Sequence, residues 1–212
     1  MSTNESEEKA FQEAASLLIH RLRNPLGGIK GFASLLKRDL EGQPNLQKMA
    51  AMIVEGADNL DRIMTAALDF AEPLNLDKEY CNLIPMIKEV FDHHQISWTT
   101  SIDTANVYMD KSQMRKALSY LSDFAAHPQE KGSFPEAQVN VTDSNIAITL
   151  VDQGTVIPKD RVSKVFSPFF VAPWGGEEGA LAQAKKIICS HGGTMEIDSS
   201  DNGTTIIAKI PR

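Results

Sequence analysis

Little in this sequence ties it to a membrane, a disulfide framework or a nucleic acid. Only two cysteines, Cys81 and Cys189, occur in 212 residues. They lie far apart, with none of the short Cys/His spacings of a metal centre, so they read as reduced thiols of an intracellular protein and no metal site is expected. No apolar run approaches the roughly 20 residues that a helix needs to cross a bilayer. The first nine residues are polar and acidic, which excludes a secretion signal; a cytoplasmic protein with no sensor, anchor or membrane contact of its own is expected. Basic residues are in deficit, 21 Lys and Arg against 28 Asp and Glu for a formal charge of −7. That balance argues against nucleic acid as a partner. Internal repeats and low-complexity tracts are also lacking. What remains is 42% hydrophobic and 23% charged, the composition of a globular protein with one or two domains.

Apolar residues Phe11, Ala15, Leu18, Leu22, Leu26, Ile29, Phe32, Leu36 and Leu40 recur at intervals of three and four, the pattern of a long amphipathic helix. Glu41-Gly42-Gln43-Pro44-Asn45 breaks it. A second stripe follows: Leu46, Met49, Ile53, Ala57, Leu60, Ile63, Ala67 and Phe70. Two such helices joined by a short turn make an antiparallel hairpin. One hairpin covers only part of each stripe, so a homodimer forming a four-helix bundle is expected. Residues 1–10 are expected to be disordered, residues 11–74 to form the hairpin, and the stretch from Pro73 to residue 80 to act as a linker.

From residue 75 onward the pattern changes. Residues 84–93 and 112–126 read as helices, and residues 181–190 as a third, stopped by Gly192-Gly193. Alternating or β-rich runs fall at 138–141, 146–151, 194–197 and 204–210. The expected fold class is therefore α+β: a helical hairpin, then several antiparallel strands layered with helices on one face.

The most informative stretch is Leu18-Ile19-His20-Arg21-Leu22-Arg23-Asn24-Pro25-Leu26. It offers an imidazole on the polar side of an apolar-periodic helix, with a carboxamide one turn away, an arrangement suited to a nucleophile for phosphoryl transfer. The string resembles the phosphoacceptor box of two-component sensor histidine kinases, H-E-x-x-N-P-L, with Arg21 where that family has an acidic residue. The resemblance implies that His20 carries the phosphoryl group and that Asn24 orients water for dephosphorylating a partner. Arg21 stays protonated and cannot act as a base; it is expected to meet a phosphoryl oxygen or the acidic pocket of a response-regulator receiver domain. Arg23 and Lys30 are read as a basic edge facing the same partner, and Pro25 as a bend in the helix.

The second half resembles the ATP-binding domain of the same kinases. Val151-Asp152-Gln153-Gly154-Thr155-Val156-Ile157-Pro158 looks like D-x-G-x-G-I-P, Val165-Phe166-Ser167-Pro168-Phe169-Phe170 like F-x-P-F, and Asn202-Gly203-Thr204-Thr205 like the G-T-T opening the last strand. The resemblance assigns Asp152 to the adenine amino group and Gly154 and Gly176 to the remains of the phosphate-side loops. It also shows departures. The two Mg²⁺-box asparagines of the family fall on Tyr120 and Phe124, poor ligands for a cation that takes oxygen donors. Val156 replaces a glycine, and Glu177 and Glu178 would stand beside a triphosphate, where like charges repel. Residues 75–212 therefore read as a degenerate kinase-type nucleotide domain, and no cofactor is expected unless the protein is a kinase using Mg-ATP. The foremost reading is a histidine phosphotransferase that exchanges phosphate with receiver domains through His20 without ATP. The alternatives are a divergent ATP-dependent histidine kinase and a non-catalytic dimeric scaffold. His93 and His94 find no acidic partner by spacing, and Trp98 and Trp174 read as packing residues.

Overall fold

The computed structural model describes residues 2–126, 135–153, 156–170, 172, 179–201 and 203–212, with side chains from residue 14 onward. The chain divides into two compact units, Met1–Pro73 and Leu74–Arg212.

The first unit is an antiparallel hairpin of α1 (Ser2–Asp39) and α2 (Pro44–Ala71). Pro44 opens α2, where its missing N–H is one of the groups left unbonded at any helix start. Gly42 takes φ +92° in the turn, a conformation that favours glycine. Helix α1 starts at Ser2, within the stretch expected from the sequence to be disordered. The Glu, Lys and Ala residues there are strong helix formers, and acidic charge suits the positive end of the helix dipole. The expected helix over residues 11–40 is thus the C-terminal part of a longer one, and Pro25 lies within it without ending it.

In the second unit, β1 (Glu79–Asn82) is followed by α3 (Leu83–His93), β2 (Ser97–Thr100), β3 (Asn106–Met109), α4 (Lys111–Ala125), β4 (Glu136–Val141), β5 (Asn145–Asp152), the short α5 (Lys159–Val162), α6 (Ala180–Ser190), β6 (Thr194–Ser200) and β7 (Gly203–Pro211). The main sheet has the order β2-β4-β5-β7-β6, and β1 pairs with β3 in a separate ribbon. Strands β4, β5, β7 and β6 pair antiparallel, as expected, and β2 joins them at one edge, parallel to β4. The long connection through β3 and α4 permits a parallel partner, which a tight turn would not. Strands β4, β5 and β7 bury alternate residues, among them Val139, Ile146, Ile148, Leu150, Ile206 and Ile210. Onto these pack Leu83, Ile87 and Phe91 of α3, Met114, Leu118 and Leu121 of α4, and Leu181 and Ile188 of α6. Each such fully buried side chain contributes roughly 1.5–3 kcal/mol.

Polar side chains fix the joints. The Asn82 carboxamide oxygen accepts from the N–H of Ile84 at 3.2 Å, capping α3, and from that of Ala105 at 2.8 Å. Asp110 caps α4: its Oδ1 accepts from the N–H groups of Ser112 and Gln113 and from the Ser112 hydroxyl, at 2.9–3.0 Å. Its Oδ2 accepts from the Asp77 N–H at 3.0 Å. Burial pushes the Asp110 carboxyl upward, but the N–H groups of Gln113, Asp77 and Ser112 and the Ser112 hydroxyl outweigh it and hold it below the usual range. Buried His191 completes the joint. Its Nε2 accepts from the Asp110 N–H at 3.0 Å, and its Nδ1 donates to the Ile187 carbonyl at 2.7 Å. Burial, helped by the nearby Lys78 ammonium, pulls this imidazole below its ordinary value against the opposing pull of the Ile187 carbonyl and Asp110.

Candidate functional site

Helix α1 presents two faces. Ile19 and Ala33 are buried and Leu26 is half-buried. On the same side, Arg23 Nε meets Asp61 Oδ1 at 2.8 Å, its Nη2 donates to the Thr65 hydroxyl at 2.9 Å, and Lys30 Nζ meets Asp58 Oδ1 at 2.5 Å. Arg23 and Lys30 are seven residues apart and therefore fall on one stripe, the one toward α2. The hydrogen bond and charge of Asp58 raise the Lys30 ammonium. The two cations read from the sequence as a basic edge facing a receiver are held across the hairpin by ion pairs.

His20 and Asn24 stand elsewhere. Both are exposed and, four residues apart, lie one above the other on the helix surface. Arg21 beside them is exposed as well. The structure therefore brings His20, Arg21 and Asn24 together at the surface of α1. Further along α1, Gly27, Gly28 and Gly31 have no atom within 4 Å of where a Cβ would stand, so nothing in the hairpin requires glycine there.

In the second unit, Asp152 ends β5 and is 5% exposed. It pairs in register with Thr204 of β7. The Thr204 hydroxyl lies 2.9 Å from that of Ser199, which in turn accepts the Ile157 N–H at 2.8 Å. Gly203, at φ +120°, sits so tightly on the Asp152 carbonyl that a Cβ would collide with it. Gly179, at φ +71°, likewise presses on the Pro168 carbonyl, 2.5 Å from where its Cβ would be. Lys185 of α6 lies over the Phe166 ring at 3.9 Å. Gly154, Gly176, Glu177, Glu178, His127 and Trp174 fall outside the described residues.

On α4, Phe124 is 8% exposed and belongs to the apolar core, and half-buried Tyr120 packs against that core one turn earlier. Between them in sequence, Asp123 turns to α3: its Oδ1 lies 2.8 Å from His94 Nε2, while His94 Nδ1 contacts the Val90 carbonyl at 2.8 Å. Spacing along the chain could not reveal this pair, because its members lie 29 residues apart and meet only when α3 and α4 pack. The Asp110 joint was also overlooked, although an Asp directly before a helical run is a capping signal. Trp98 meets Phe91 edge-on, with ring centroids 6.3 Å apart, as a packing residue should.

An exposed histidine on a two-helix hairpin, followed by a mixed α/β layer with a buried aspartate at the end of β5, is the arrangement of a histidine phosphoacceptor hairpin joined to an ATPase-type domain. Comparison with known families agrees. Residues 12–74 match the His Kinase A (phospho-acceptor) domain, and residues 109–212 match the histidine kinase-, DNA gyrase B- and HSP90-like ATPase family. The chain belongs to the two-component histidine kinase core family. It is 25% identical over 201 residues to the sensor histidine kinase ZraS of Salmonella typhimurium, covering 90% of this chain and 43% of that protein. It is 26% identical over 233 residues to the sensory histidine kinase/phosphatase NtrB of Vibrio alginolyticus, covering 99% of this chain and 66% of the relative. The chain thus spans less than half of ZraS and about two thirds of NtrB. In fold it is similar to the histidine kinase ThkA solved with the response regulator TrrA, at TM-score 0.63 and 23% identity, covering 100% of this chain and 67% of that one. Among the described residues, no helix is long and apolar enough to cross a membrane.

Proposed function

We propose that this chain is the core of an ATP-dependent histidine kinase, in which His20 takes a phosphoryl group from ATP and passes it to an aspartate of a response-regulator receiver domain. One observation carries the proposal: His20 and Asn24 stand together and exposed on α1, away from the seam that Arg23 and Lys30 bind to α2. The nature of the relatives, which are named sensor kinases, supports ATP as donor better than the ATP-free exchange expected first from the sequence.

In the first step a ring nitrogen of neutral His20 attacks the γ-phosphorus in line. The N–P bond forms as the P–O bond to ADP breaks, and the proton on the other ring nitrogen leaves to solvent, since Arg21 cannot accept it. In the second, a receiver carboxylate oxygen attacks phosphorus and the N–P bond breaks. Arg21 offers its guanidinium to the phosphoryl oxygens or to the receiver's acidic pocket, and Asn24 positions water for removing phosphate from the partner. Asp152, with Gly154 and Gly176, marks the nucleotide side. The hairpin works as a homodimer, because Leu18, Leu22, Ile29, Phe32 and Leu36 on α1 and Met49, Met52 and Ile53 on α2 are all exposed and a second hairpin would cover them. The protein is placed in the cytoplasm, where receivers and ATP are found together.

A second reading, phosphotransfer between receivers without ATP, is favoured by Tyr120 and Phe124 at the positions where the family carries its metal-binding asparagines. One experiment separates the two. Wild-type and His20→Ala proteins are incubated either with γ-labelled ATP or with a pre-phosphorylated receiver. Label on the wild type from ATP, and none on the variant, is the expected result. Label only from the receiver would replace the kinase by the phosphotransferase, and label on His20→Ala would remove His20 from the chemistry.

A further inference from the structure

The kinase reading calls for a Mg²⁺ ion beside the triphosphate, and the donor set on α4 does not fit one. Magnesium takes hard oxygen ligands at near-octahedral geometry, usually through one or two carboxylates. Phe124 offers only a hydrocarbon ring and is committed to the core, and the half-buried phenol of Tyr120 is packed against the same cluster. The nearest carboxylate on the helix, Asp123, points about 60° away from Tyr120 and about 100° from Phe124 around the axis. Its Oδ1 already holds His94 Nε2 at 2.8 Å. Bringing Asp123 round to the side of Tyr120 and Phe124 would pull it from that contact, and restoring an amide at position 124 would mean placing it in the apolar core.

We infer that α4 gives this domain no magnesium anchor, so that nucleotide affinity comes from the Asp152 end of the site and from apolar packing, with nothing added by the metal. The inference rests on the reading that the second unit is the nucleotide domain. The test is calorimetric titration of the full chain with ATP, once in excess MgCl₂ and once in EDTA. The expected result is measurable binding with the same affinity in both, within about twofold; an absence of binding in both would overturn the inference together with the kinase reading on which it rests. Binding about tenfold or more tighter with magnesium would overturn the inference while leaving the kinase reading intact. The kinase reading fails by a different sign, the absence of nucleotide binding in either solution.

Discussion

Phe32 is the sharpest probe of the proposed dimer. Its ring is 71% exposed on α1, on the stripe that includes Leu18, Leu22, Ile29 and Leu36, about 100° around the helix from the seam with α2. Burying a phenylalanine fully is worth about 2 kcal/mol, so about 1.5 kcal/mol remains to be gained by covering this one. In a two-fold dimer the residue occurs twice, which makes about 3 kcal/mol and about two orders of magnitude in the dissociation constant. Phe32→Ser should therefore weaken self-association by about that factor in sedimentation equilibrium. The monomer should keep its helix content, because nothing in the hairpin leans on the ring. Tyr80→Ser is the control: this side chain is 77% exposed but belongs to the β1–β3 ribbon, and self-association should not change. An unchanged dissociation constant for Phe32→Ser, or equal loss in the Tyr80 control, would refute the assignment of this stripe to the dimer.

Asp110→Ala removes the cap of α4, about 1 kcal/mol, and leaves the Asp77 N–H without its acceptor, about 1–3 kcal/mol more. Urea unfolding should show a loss of about 2–4 kcal/mol, and a loss below about 1 kcal/mol would mean that solvent replaces the carboxylate without cost. His191 gives a pH signature. Its folded value lies below the ordinary histidine value near 6.5, so the unfolded chain takes up the proton first and stability falls as pH drops below that value. His191→Gln should remove this part of the slope; an unchanged or steeper slope would contradict the buried neutral imidazole. Arg23→Ala breaks a half-exposed ion pair with Asp61 and an exposed hydrogen bond to Thr65 and should cost less than about 1 kcal/mol in thermal unfolding. A larger loss would show that the cross-hairpin pairs, rather than the apolar seam, hold α1 to α2.

Long periodic segments were legible in the sequence because burial imposes its own spacing. The stripes of α1 and α2, the runs of β4, β5 and β7, and the stop at Gly192-Gly193 all follow from it. The short strands were not. Ser97-Trp98-Thr99-Thr100 has no apolar alternation, and its place at the sheet edge depends on a partner 39 residues away. Similarly, β1 and β3 are four residues each and exist because they pair with one another. At the candidate site, His20 and Asn24 could be read directly, since both belong to one helix surface. Arg23 and Lys30 could not be assigned from α1 alone. Which side of the helix faces a neighbour depends on where α2 places Asp58 and Asp61, and the same holds for the meeting of His94 with Asp123.

Gly203 ties the end of β5 to the turn between β6 and β7 through main chain alone, by the lack of a side chain. The Asp152 main chain is thus held by two backbones in near contact. One added methyl group at position 203 would push directly on the Asp152 peptide unit, so a change distant in sequence would displace this aspartate.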